Sequence, residues 1–588
     1  MSSAPVRDVA RREFPFVLGL QRCYRVALDC SHPDRYEMER KPKPSPVKPR
    51  TLALCFGWVL LSAATLLPAA PADPNQEDAM QKAHRQAVQR RRRIMYNDDG
   101  CHPRPYTTPE ELVSLRMRQL IGTQVDTICY CTGGGGLFWG HVPQVGELIG
   151  KFVVDSDAQY VKDICTSVRA LQAMGTDPLA VAVDFAHKQG MEAFWSYRMN
   201  NVEDSFVGWG HPQWKRDRPQ YCFGKPEDWN TFAYTDPRKW WAALNFEHPE
   251  VRAYILQIFG DVCGRYDIDG VDLDFFRHPR FFPPTTHGLP VTAEHAAMMT
   301  DLVRGIRAMT TRVARERGRP LLISCRVPLS VERCLAIGLD VETWLREGLV
   351  DIYTFGGDLG PMAMAPQLRT MVALAHRGGA RAYANIGGSG MQKNQGYTSE
   401  EAWWAAATNA WQAGADGIYT FNLFPRVPDV RLSRIGSPDT LKGADKLYAI
   451  DPIKPKNLWG FNRSALVIPG RLPITLGPSG KARALLPVGE DVAANAPLGK
   501  AATLRLRVRL AGVVKGDALV ICVNQHPPAV AAPAVHLSAA AATAWFELAV
   551  APEQLLTGDN SIDLQVATTR PVGPETVVDR LELTVTYR

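Results

Sequence analysis

Residues 248–276 read HPEVRAYILQIFGDVCGRYDIDGVDLDFF. Apolar residues recur at helical spacing over 248–266, which predicts an amphipathic helix. After a short polar turn, 270–276 is rich in apolar and aromatic residues and predicts a strand. A helix that leads directly into a buried strand is typical of proteins in which parallel strands alternate with helices.

The same order of elements recurs along most of the chain, from Ile94 to about Pro425. Eight short apolar segments are separated by helix-length amphipathic segments, and many of the predicted helices end at a glycine. Eight such repeats fit a closed (β/α)8 TIM barrel better than an open doubly wound sheet. The predicted strands cover 94–99, 125–133, 191–200, 270–276, 321–328, 350–357, 381–388 and 417–424.

The strand at 270–276 indicates which of its side chains face the barrel interior. Val271 and Leu273 alternate with Asp272 and Asp274, and successive side chains of a strand point to opposite faces. Because the face that packs on the helices must be apolar, both aspartates are predicted to point into the barrel.

The character of the sequence changes after Pro425. A connector rich in proline is predicted over 426–460, followed by short alternating segments separated by turn residues, as in an antiparallel β-sandwich. The domain limits are therefore predicted as 90–450 for the barrel and 460–588 for the sandwich. The predicted sandwich strands cover 503–510, 517–524, 544–550, 560–567 and 578–587.

The overall composition is that of a globular protein of two or three domains. The chain has 588 residues, of which 46% are hydrophobic and 22% charged, and a formal net charge of +7. Much of the visible basic excess lies in two short runs, 41–50 and 90–93. A nucleic-acid-binding domain would spread basic residues over a folded surface, so nucleic acid is not a predicted partner.

The N-terminal region has the pattern of an export signal. Residues 51–72 carry no charge, follow Lys48 and Arg50, and end in Ala-Pro-Ala, as a secretory signal peptide does. We interpret 1–72 as an extension plus signal peptide, with Met38 as the alternative start. The expected location is secreted or periplasmic in a bacterial cell envelope, without a stable membrane span after cleavage; an uncleaved anchor is the alternative.

Polar residues at the C-terminal ends of barrel strands are candidates for function, because active sites of TIM barrels lie at that face. Aromatic residues are frequent in the same segments. Charged groups beside aromatic rings suit carbohydrate, whose C–H faces stack on rings while its hydroxyls form hydrogen bonds. The candidate substrate-binding residues are Asp98, Trp195, Arg198, Asn200, Arg277, His278, Arg326 and Asn422.

The candidate catalytic groups are carboxylates. Glycoside cleavage uses one carboxyl group as proton donor and a second to attack or to activate water. Asp274 lies nearest the strand end, whereas Asp272 lies deeper and has a structural alternative, the bonding of barrel layers. Asp358, just past the sixth strand, is predicted as the partner carboxylate, with Glu203, Asp204 and Asp98 as further choices.

The segment DGVDLD at 269–274 resembles the strand-4 motif DGxDxDxE of glycoside hydrolase family 18, the chitinases. Phe276 occupies the place of that family's terminal glutamate, its general acid, so a working chitinase is not predicted. The sequence is more similar to bacterial glycosyl hydrolase-like barrel proteins, which end this strand with DGxxLDFxRxP.

This second resemblance also includes FWSYRMNN at 194–201 and LNFEHPEVR at 244–252, and it covers roughly 94–450. It implies a hydrolase-like barrel with Asp274 as nucleophile or acid, and it identifies no sugar.

The sequence thus predicts an exported glycosidase that cleaves a poly- or oligosaccharide by paired-carboxylate chemistry. A carbohydrate-binding barrel without catalysis and a structural cell-envelope protein are the alternatives. No cofactor or metal is expected, because the chain contains no zinc pattern of cysteines, no H-E-x-x-H helix and no dinucleotide fingerprint.

Overall fold

The computed structural model describes most of the chain after the predicted signal segment, which itself lies outside the described residues. Within the described part, none of the helices combines the length and apolarity needed to cross a bilayer. The described residues are 74–588 apart from 101–103, 136, 150–158, 203, 205–211, 226–240, 288, 357–364, 388–396, 426, 451–471, 477–478, 498–499, 515–516, 539–542 and 568–575.

Eight parallel strands form a closed barrel in which each strand pairs with its neighbours along the chain and the last pairs with the first. The predicted (β/α)8 barrel is confirmed. The strands are β1 (Ile94–Asp98), β2 (Val125–Cys131), β3 (Glu192–Arg198), β4 (Gly270–Asp274), β5 (Leu322–Val327), β6 (Ile352–Phe355), β7 (Arg381–Gly387) and β8 (Gly417–Phe421).

Helices connect these strands around the outside of the barrel. Local sequence fixes their ends: the longest helix begins after Thr292, whose side chain accepts a hydrogen bond from the His295 amide, and ends at Gly318 in a left-handed conformation. The helices are α1 (Pro74–Gln89), α2 (Pro109–Arg116), α3 (Gln159–Ala173), α4 (Pro178–Lys188), α5 (Pro249–Arg265), α6 (Ala293–Arg317), α7 (Val331–Leu335), α8 (Val341–Arg346), α9 (Ala365–Arg377) and α10 (Glu400–Gln412).

The predicted orientation of β4 is confirmed. Val271 and Leu273 belong to the apolar core shared with the surrounding helices, whereas Asp272 accepts a hydrogen bond from the hydroxyl of Tyr419 on β8. Gly270 shares the inner face, and a Cβ atom there would lie 2.6 Å from the Phe194 ring. Glycine at 270 therefore makes room for the aromatic ring that fills the barrel below the aspartates.

The N-terminal end of the barrel is closed by α1 and a buried ion pair. Val88 of α1 joins the apolar cluster inside the barrel. Arg92 follows α1 and is fully buried; its guanidinium donates two hydrogen bonds to Glu192, at 2.6 and 2.8 Å. Thr127 donates a further hydrogen bond to the same carboxylate. The segment just after the predicted cleavage point is thus an integral part of the barrel.

The C-terminal region is an antiparallel sandwich, as predicted. Its strand β14 pairs through its first residues with one sheet and through its later residues with the other, which joins the two layers. The strands are β9 (Lys446–Ile450), β10 (Ile474–Thr475), β11 (Lys481–Val488), β12 (Ala502–Ala511), β13 (Ala518–Val523), β14 (Ala529–Ser538), β15 (Thr543–Val550), β16 (Gly558–Ala567) and β17 (Val577–Tyr587).

One strand of this sandwich lies in the stretch that the sequence predicted as a connector. Strand β9 at Lys446–Ile450 pairs with β17. It is held by Lys446, whose buried ammonium donates to Glu490 at 2.9 Å and to two backbone carbonyls. The sandwich therefore begins before residue 450.

Helix α10 packs the barrel against the sandwich. Ala405 belongs to the apolar core of the sandwich, and the Asn409 side chain donates to the carbonyl of Pro487 at 3.3 Å. A Cβ atom on Gly489 would lie 2.6 Å from the carbonyl oxygen of Thr408. Glycine at 489 thus allows the two backbones to approach closely.

His141 is buried outside the barrel wall, among aromatic rings. Its ring stacks on Trp139 with centroids 5.5 Å apart, and its Nδ1 is 2.7 Å from the Thr132 hydroxyl. Because burial penalises the charged imidazolium, the pKa of His141 is lowered to about 4.

We expect His141 to make the protein less stable in mild acid. The unfolded chain takes up a proton near the ordinary histidine pKa of about 6.5, whereas the native state does not. Stability is therefore lost as the pH falls from that value toward the native pKa, by about 2 kcal/mol between pH 7 and pH 5. Urea unfolding at both pH values tests this: His141→Gln should reduce the difference by about 2 kcal/mol, whereas His287→Gln, at an exposed site, should leave it unchanged.

Candidate active site in the barrel mouth

Three charged side chains form a layer at the C-terminal ends of adjacent strands. Arg198 of β3 pairs in register with Asp274 of β4, which in turn pairs with Arg326 of β5. All three alternate with outward-facing core residues and therefore point into the barrel. The mouth thus carries a carboxylate with an arginine on the strand at either side.

The two carboxylate oxygens of Asp274 accept different numbers of hydrogen bonds. Its Oδ1 accepts from Arg326 Nε at 2.9 Å and from the backbone amides of Phe276 at 3.0 Å and Arg277 at 3.1 Å. Its Oδ2 accepts from Arg326 Nη2 at 2.8 Å. These donors fix the orientation of the carboxylate. Asp274 is therefore suited to attack or to stabilise positive charge, and Oδ2 is the oxygen with the greater remaining capacity to accept.

Arg326 is itself fixed between aromatic rings. Its guanidinium carbon lies 3.7 Å from the ring centroid of Phe421, at the end of β8, and 5.6 Å from that of Phe276. Cation–π contact and the two-pronged ion pair together hold the guanidinium in one plane. Arg326 therefore orients Asp274, and Phe276 covers the arginine.

Asp272 lies one inward position deeper and is 0% exposed. It accepts hydrogen bonds from Ser196 at 2.9 Å, Tyr419 at 2.8 Å and Ser324 at 2.5 Å. Burial raises the pKa of Asp272; the negative charge of Asp274 adds to that effect and the three hydroxyl donors oppose it. Asp272 thus joins β4 to three other strands beneath Asp274. This agrees with the structural alternative, in which Asp272 bonds the layers of the barrel.

Two residues just past strand ends adopt the left-handed conformation that favours glycine. They are His278 after β4, with φ 57°, and Asn422 after β8, with φ 53°. Backbone strain of this kind clusters at functional sites. Burial, together with the charges of Arg277 and Arg198, holds the pKa of His278 well below its usual range. Its Nδ1 accepts from the Val202 amide at 3.3 Å, so the neutral ring carries its proton on Nε2.

The prediction that Asp98 binds substrate is wrong in its placement. Asp98 alternates with inward-facing Asn97 and so points outward, where it accepts from Arg116 of α2 at 3.4 Å. Asn97 faces the interior and donates to Ser196 at 3.1 Å. The two-residue period of the strand therefore favours Asn97 over its neighbour.

Trp195 is also not part of the mouth. It is 0% exposed and packs between the barrel wall and α5, where its ring centroid lies 5.4 Å from that of Phe259. Its indole donates to the Thr132 hydroxyl at 2.9 Å. The alternation that turns Ser196 and Arg198 inward turns this ring outward, into the core.

Replacing Trp195 should affect stability and not saccharide binding. Trp195→Phe removes the hydrogen bond to Thr132, and we expect a loss of about 1–2 kcal/mol in unfolding free energy. Urea unfolding measures this loss, and affinity electrophoresis in polysaccharide gels measures binding. A selective loss of binding at unchanged stability would contradict the placement of this ring.

Asn200 is engaged in supporting the loops of the mouth. Its side-chain amide donates to the carbonyls of Leu244, at 2.9 Å, and of Arg280, and its Oδ1 accepts from the Leu244 amide. Because both ends of this buried amide are used, the predicted contact with substrate is corrected to a positioning role.

The predicted partner carboxylates differ in what can be said of them. Asp358, the first choice, and Glu203, the second, both lie outside the described residues. Asp204 is buried and bonded to the ammonium of Lys215 at 2.9 Å. Asp358 and Glu203 therefore stay predictions, whereas Asp204 belongs to an internal ion pair.

Sequence reasoning missed several inward residues of the mouth. Tyr419, Phe421 and Ser324 all contact the two aspartates or their arginine partner. Asn385 of β7 donates to the carbonyl of Gly356 at 3.3 Å. The alternation of side chains along a strand identifies these positions once each strand is given a register.

Among the residues that the structure describes, no group of three or more His, Cys, Asp or Glu side chains is placed to hold a metal ion.

The fold is a (β/α)8 barrel followed by an antiparallel β-sandwich. Residues 142–287, which include β3, β4 and the strand-end motif, match the sequence model of the family described as glycosyl hydrolase-like 10. The resemblance predicted from that motif is thereby confirmed. None of the curated proteins compared with the chain matches its sequence.

Solved structures similar to this chain include three carbohydrate-active proteins. The glycoside hydrolase domain of PgaB (BpsB) from Bordetella bronchiseptica is 11% identical, with TM-score 0.34, over 60% of this chain and 96% of that one. The GH36 alpha-galactosidase AgaB from Geobacillus stearothermophilus is 11% identical, with TM-score 0.34, over 84% and 59%. An alpha-amylase from Geobacillus thermoleovorans is 11% identical, with TM-score 0.32, over 82% and 100%.

Proposed function

We propose that this protein hydrolyses a glycosidic bond of a poly- or oligosaccharide in the barrel mouth. The observation that carries the proposal is the Asp274 carboxylate, which is paired with the Arg326 guanidinium at 2.8 Å at the C-terminal end of β4. It lies in the segment that matches the glycosyl hydrolase-like family. Chemistry in TIM barrels takes place at this face.

Asp274 is proposed to act on the anomeric carbon. In a retaining reaction Oδ2 forms a bond to that carbon while the glycosidic C–O bond breaks, and a second carboxyl group gives its proton to the leaving oxygen; water then releases the sugar. In an inverting reaction the carboxylate takes a proton from the attacking water instead. The ion pair with Arg326 disfavours Asp274 as the proton donor, so that role is proposed for Asp358 or Glu203.

The remaining polar residues of the mouth are proposed to bind the sugar. His278 offers its Nε2 proton to a hydroxyl oxygen, and Asn422 offers an amide at the opposite side of the barrel. Arg198 and Arg277 add guanidinium donors, which also suit an acidic substituent. Asp272 and Asn200 support the strands and loops of the mouth without touching substrate.

The proposal is tested by incubating the purified protein with a panel of polysaccharides and aryl glycosides and measuring new reducing ends. The panel contains neutral, acidic and amino-sugar polymers. Hydrolysis is supported if the wild type releases reducing ends from at least one polymer and Asp274→Asn does not. Release that persists in that variant would place the chemistry elsewhere.

A carbohydrate-binding barrel without turnover is the second candidate. Two observations favour it: Asp274 is only 1% exposed, and Phe276 stands where the chitinases carry their acid. This candidate predicts that a polysaccharide retards the protein in affinity electrophoresis while no panel member is cleaved. A structural cell-envelope role is weaker, because it does not explain the charged layer of the mouth.

We further propose that the protein is exported with cleavage after Ala72. The support is the uncharged run 51–72 behind two basic residues, together with α1, which starts at Pro74 and closes the barrel floor. Cleavage there leaves every described element intact. N-terminal sequencing of protein secreted by a bacterial host tests this; a mature start within α1 would contradict it.

A further inference from the structure

The outer face of the C-terminal sandwich carries an ordered set of charged and aromatic residues. On β15, Ala544 and Phe546 enter the core, so Trp545 and Glu547 face outward. Trp545 lies opposite Arg509 of β12, and Glu547 lies opposite Arg507. We call this outer face of β15, β12 and β17 the Trp545 face.

The indole of Trp545 lies over the neighbouring guanidinium groups. The guanidinium carbon of Arg507 is 4.4 Å from the ring centroid, and that of Arg509 is 5.7 Å away. The ring therefore contacts cations at stacking distance. Trp545 is half-buried, and part of its side chain remains accessible to solvent.

Carboxylates hold both arginines beneath the ring. Asp579, at a bulge in β17, accepts two hydrogen bonds from Arg509, at 2.7 and 2.8 Å. Arg507 lies 3.1 Å from Glu547 and 3.5 Å from Glu582. The ring thus rests on a fixed ionic layer, and little side-chain freedom remains to be lost when a ligand stacks on it.

A buried contact joins the Trp545 face to the mouth end of the barrel. Tyr397 lies between β7 and the start of α10, on the side where the barrel strands end. Its hydroxyl donates to Glu582 at 3.2 Å, and the Arg580 guanidinium lies 5.5 Å from its ring centroid. Glu582 therefore connects the ionic layer under Trp545 to the loop region beside the candidate active site.

We propose that the Trp545 face binds a stretch of polysaccharide chain outside the barrel. The accessible part of the indole suits the C–H face of a pyranose ring, and the surrounding guanidinium and carboxylate edges suit its hydroxyls. The contact of Glu582 with Tyr397 places this face beside the segment that follows β7 at the mouth end of the barrel, which favours the same polymer that enters the mouth. The inference rests on the proposed function and names its substrate as a polymer rather than a short glycoside.

Affinity electrophoresis tests the binding surface separately from catalysis. The probes are gels containing hydroxyethyl cellulose, xylan, laminarin, polygalacturonate or glycol chitosan. We expect at least one polymer to retard the wild type, and Trp545→Ala to weaken that binding about fivefold to tenfold. Val530→Ala, at an exposed apolar residue of the same domain, is the matched control and should bind as the wild type does. Asp274→Asn should also retain binding.

Three results would overturn the proposal. The first is equal retardation of Trp545→Ala and the wild type, and the second is no retardation in any gel. The third is self-association of the wild type that Trp545→Ala abolishes, because this would assign the face to a second copy of the chain. Melting curves of each variant separate lost binding from lost folding. Trp545→Thr serves as a second variant, because its β-branched side chain suits a strand.

The experiments also distinguish failure of this binding proposal from failure of the proposed hydrolysis. If the wild type cleaves a polymer and an aryl glycoside, Trp545→Ala should lower kcat/KM about fivefold to tenfold on the polymer only. If nothing is cleaved but retardation depends on Trp545, hydrolysis fails and the binding face stands.

Discussion

Asp274→Asn lowers kcat/KM on the cleaved polysaccharide about a thousandfold or more, because it removes the charge that acts at the anomeric centre. Asparagine has nearly the same volume and can still accept from the backbone amides of Phe276 and Arg277. The loss should therefore appear in kcat while affinity in polysaccharide gels is retained. Initial rates of reducing-end release, measured over a range of substrate concentrations, separate these two parameters.

Two controls exclude a general effect of the substitution. Asp269→Asn alters an aspartate of the same motif at the opposite end of β4, where its carboxylate is bonded to His187 and Arg319, and should leave kcat unchanged. Asp274→Asn also leaves Arg326 without its counter-charge. The double variant with Arg326→Met should recover stability and remain inactive. Activity in either Asp274 variant would remove this residue from the reaction.

Glu192→Ala destabilises the barrel by about 3–5 kcal/mol, the largest effect on stability that we expect. It leaves the fully buried Arg92 at the barrel floor without its carboxylate. It also removes the acceptor for the Thr127 hydroxyl. The midpoint and slope of urea unfolding, followed by tryptophan fluorescence, measure the change.

A second arginine–glutamate pair provides the matched control. Arg304 and Glu347 are bonded through two hydrogen bonds, at 2.7 and 2.6 Å, but lie at the surface, where water screens them. Glu347→Ala should therefore destabilise the protein far less than Glu192→Ala does. Equal losses of unfolding free energy in Glu192→Ala and Glu347→Ala would show that burial does not increase the contribution of the Arg92–Glu192 pair.

The sequence predicted the barrel because its signals are local. The alternation of strand and helix patterns defined all eight strands, and the period of two in 270–276 placed Asp272 and Asp274 correctly. The same period, had it been applied to β1 and β3, would have preferred Asn97 to Asp98 and turned Trp195 into the core. These errors came from treating proximity to a strand end as sufficient.

Other features depend on contacts between distant segments. The polar helix α1 carries only a weak apolar pattern, and its place beneath the barrel is fixed by Val88 and Arg92 in three dimensions. Strands β11 and β14 contain alanine and proline, which are poor strand formers, and they are recruited by pairing with neighbours. The ion pair of Asp274 with Arg326 joins residues 52 positions apart, and no local pattern specifies it.

The most direct test of hydrolysis is the fate of the attacking water. The protein is incubated with the polymer that binds it in water enriched with heavy oxygen, and the products are analysed by mass spectrometry. We predict one heavy oxygen atom per new reducing end with the wild type and none above background with Asp274→Asn. Products that lack the label, or equal labelled product from both proteins, would contradict a hydrolytic barrel centred on Asp274.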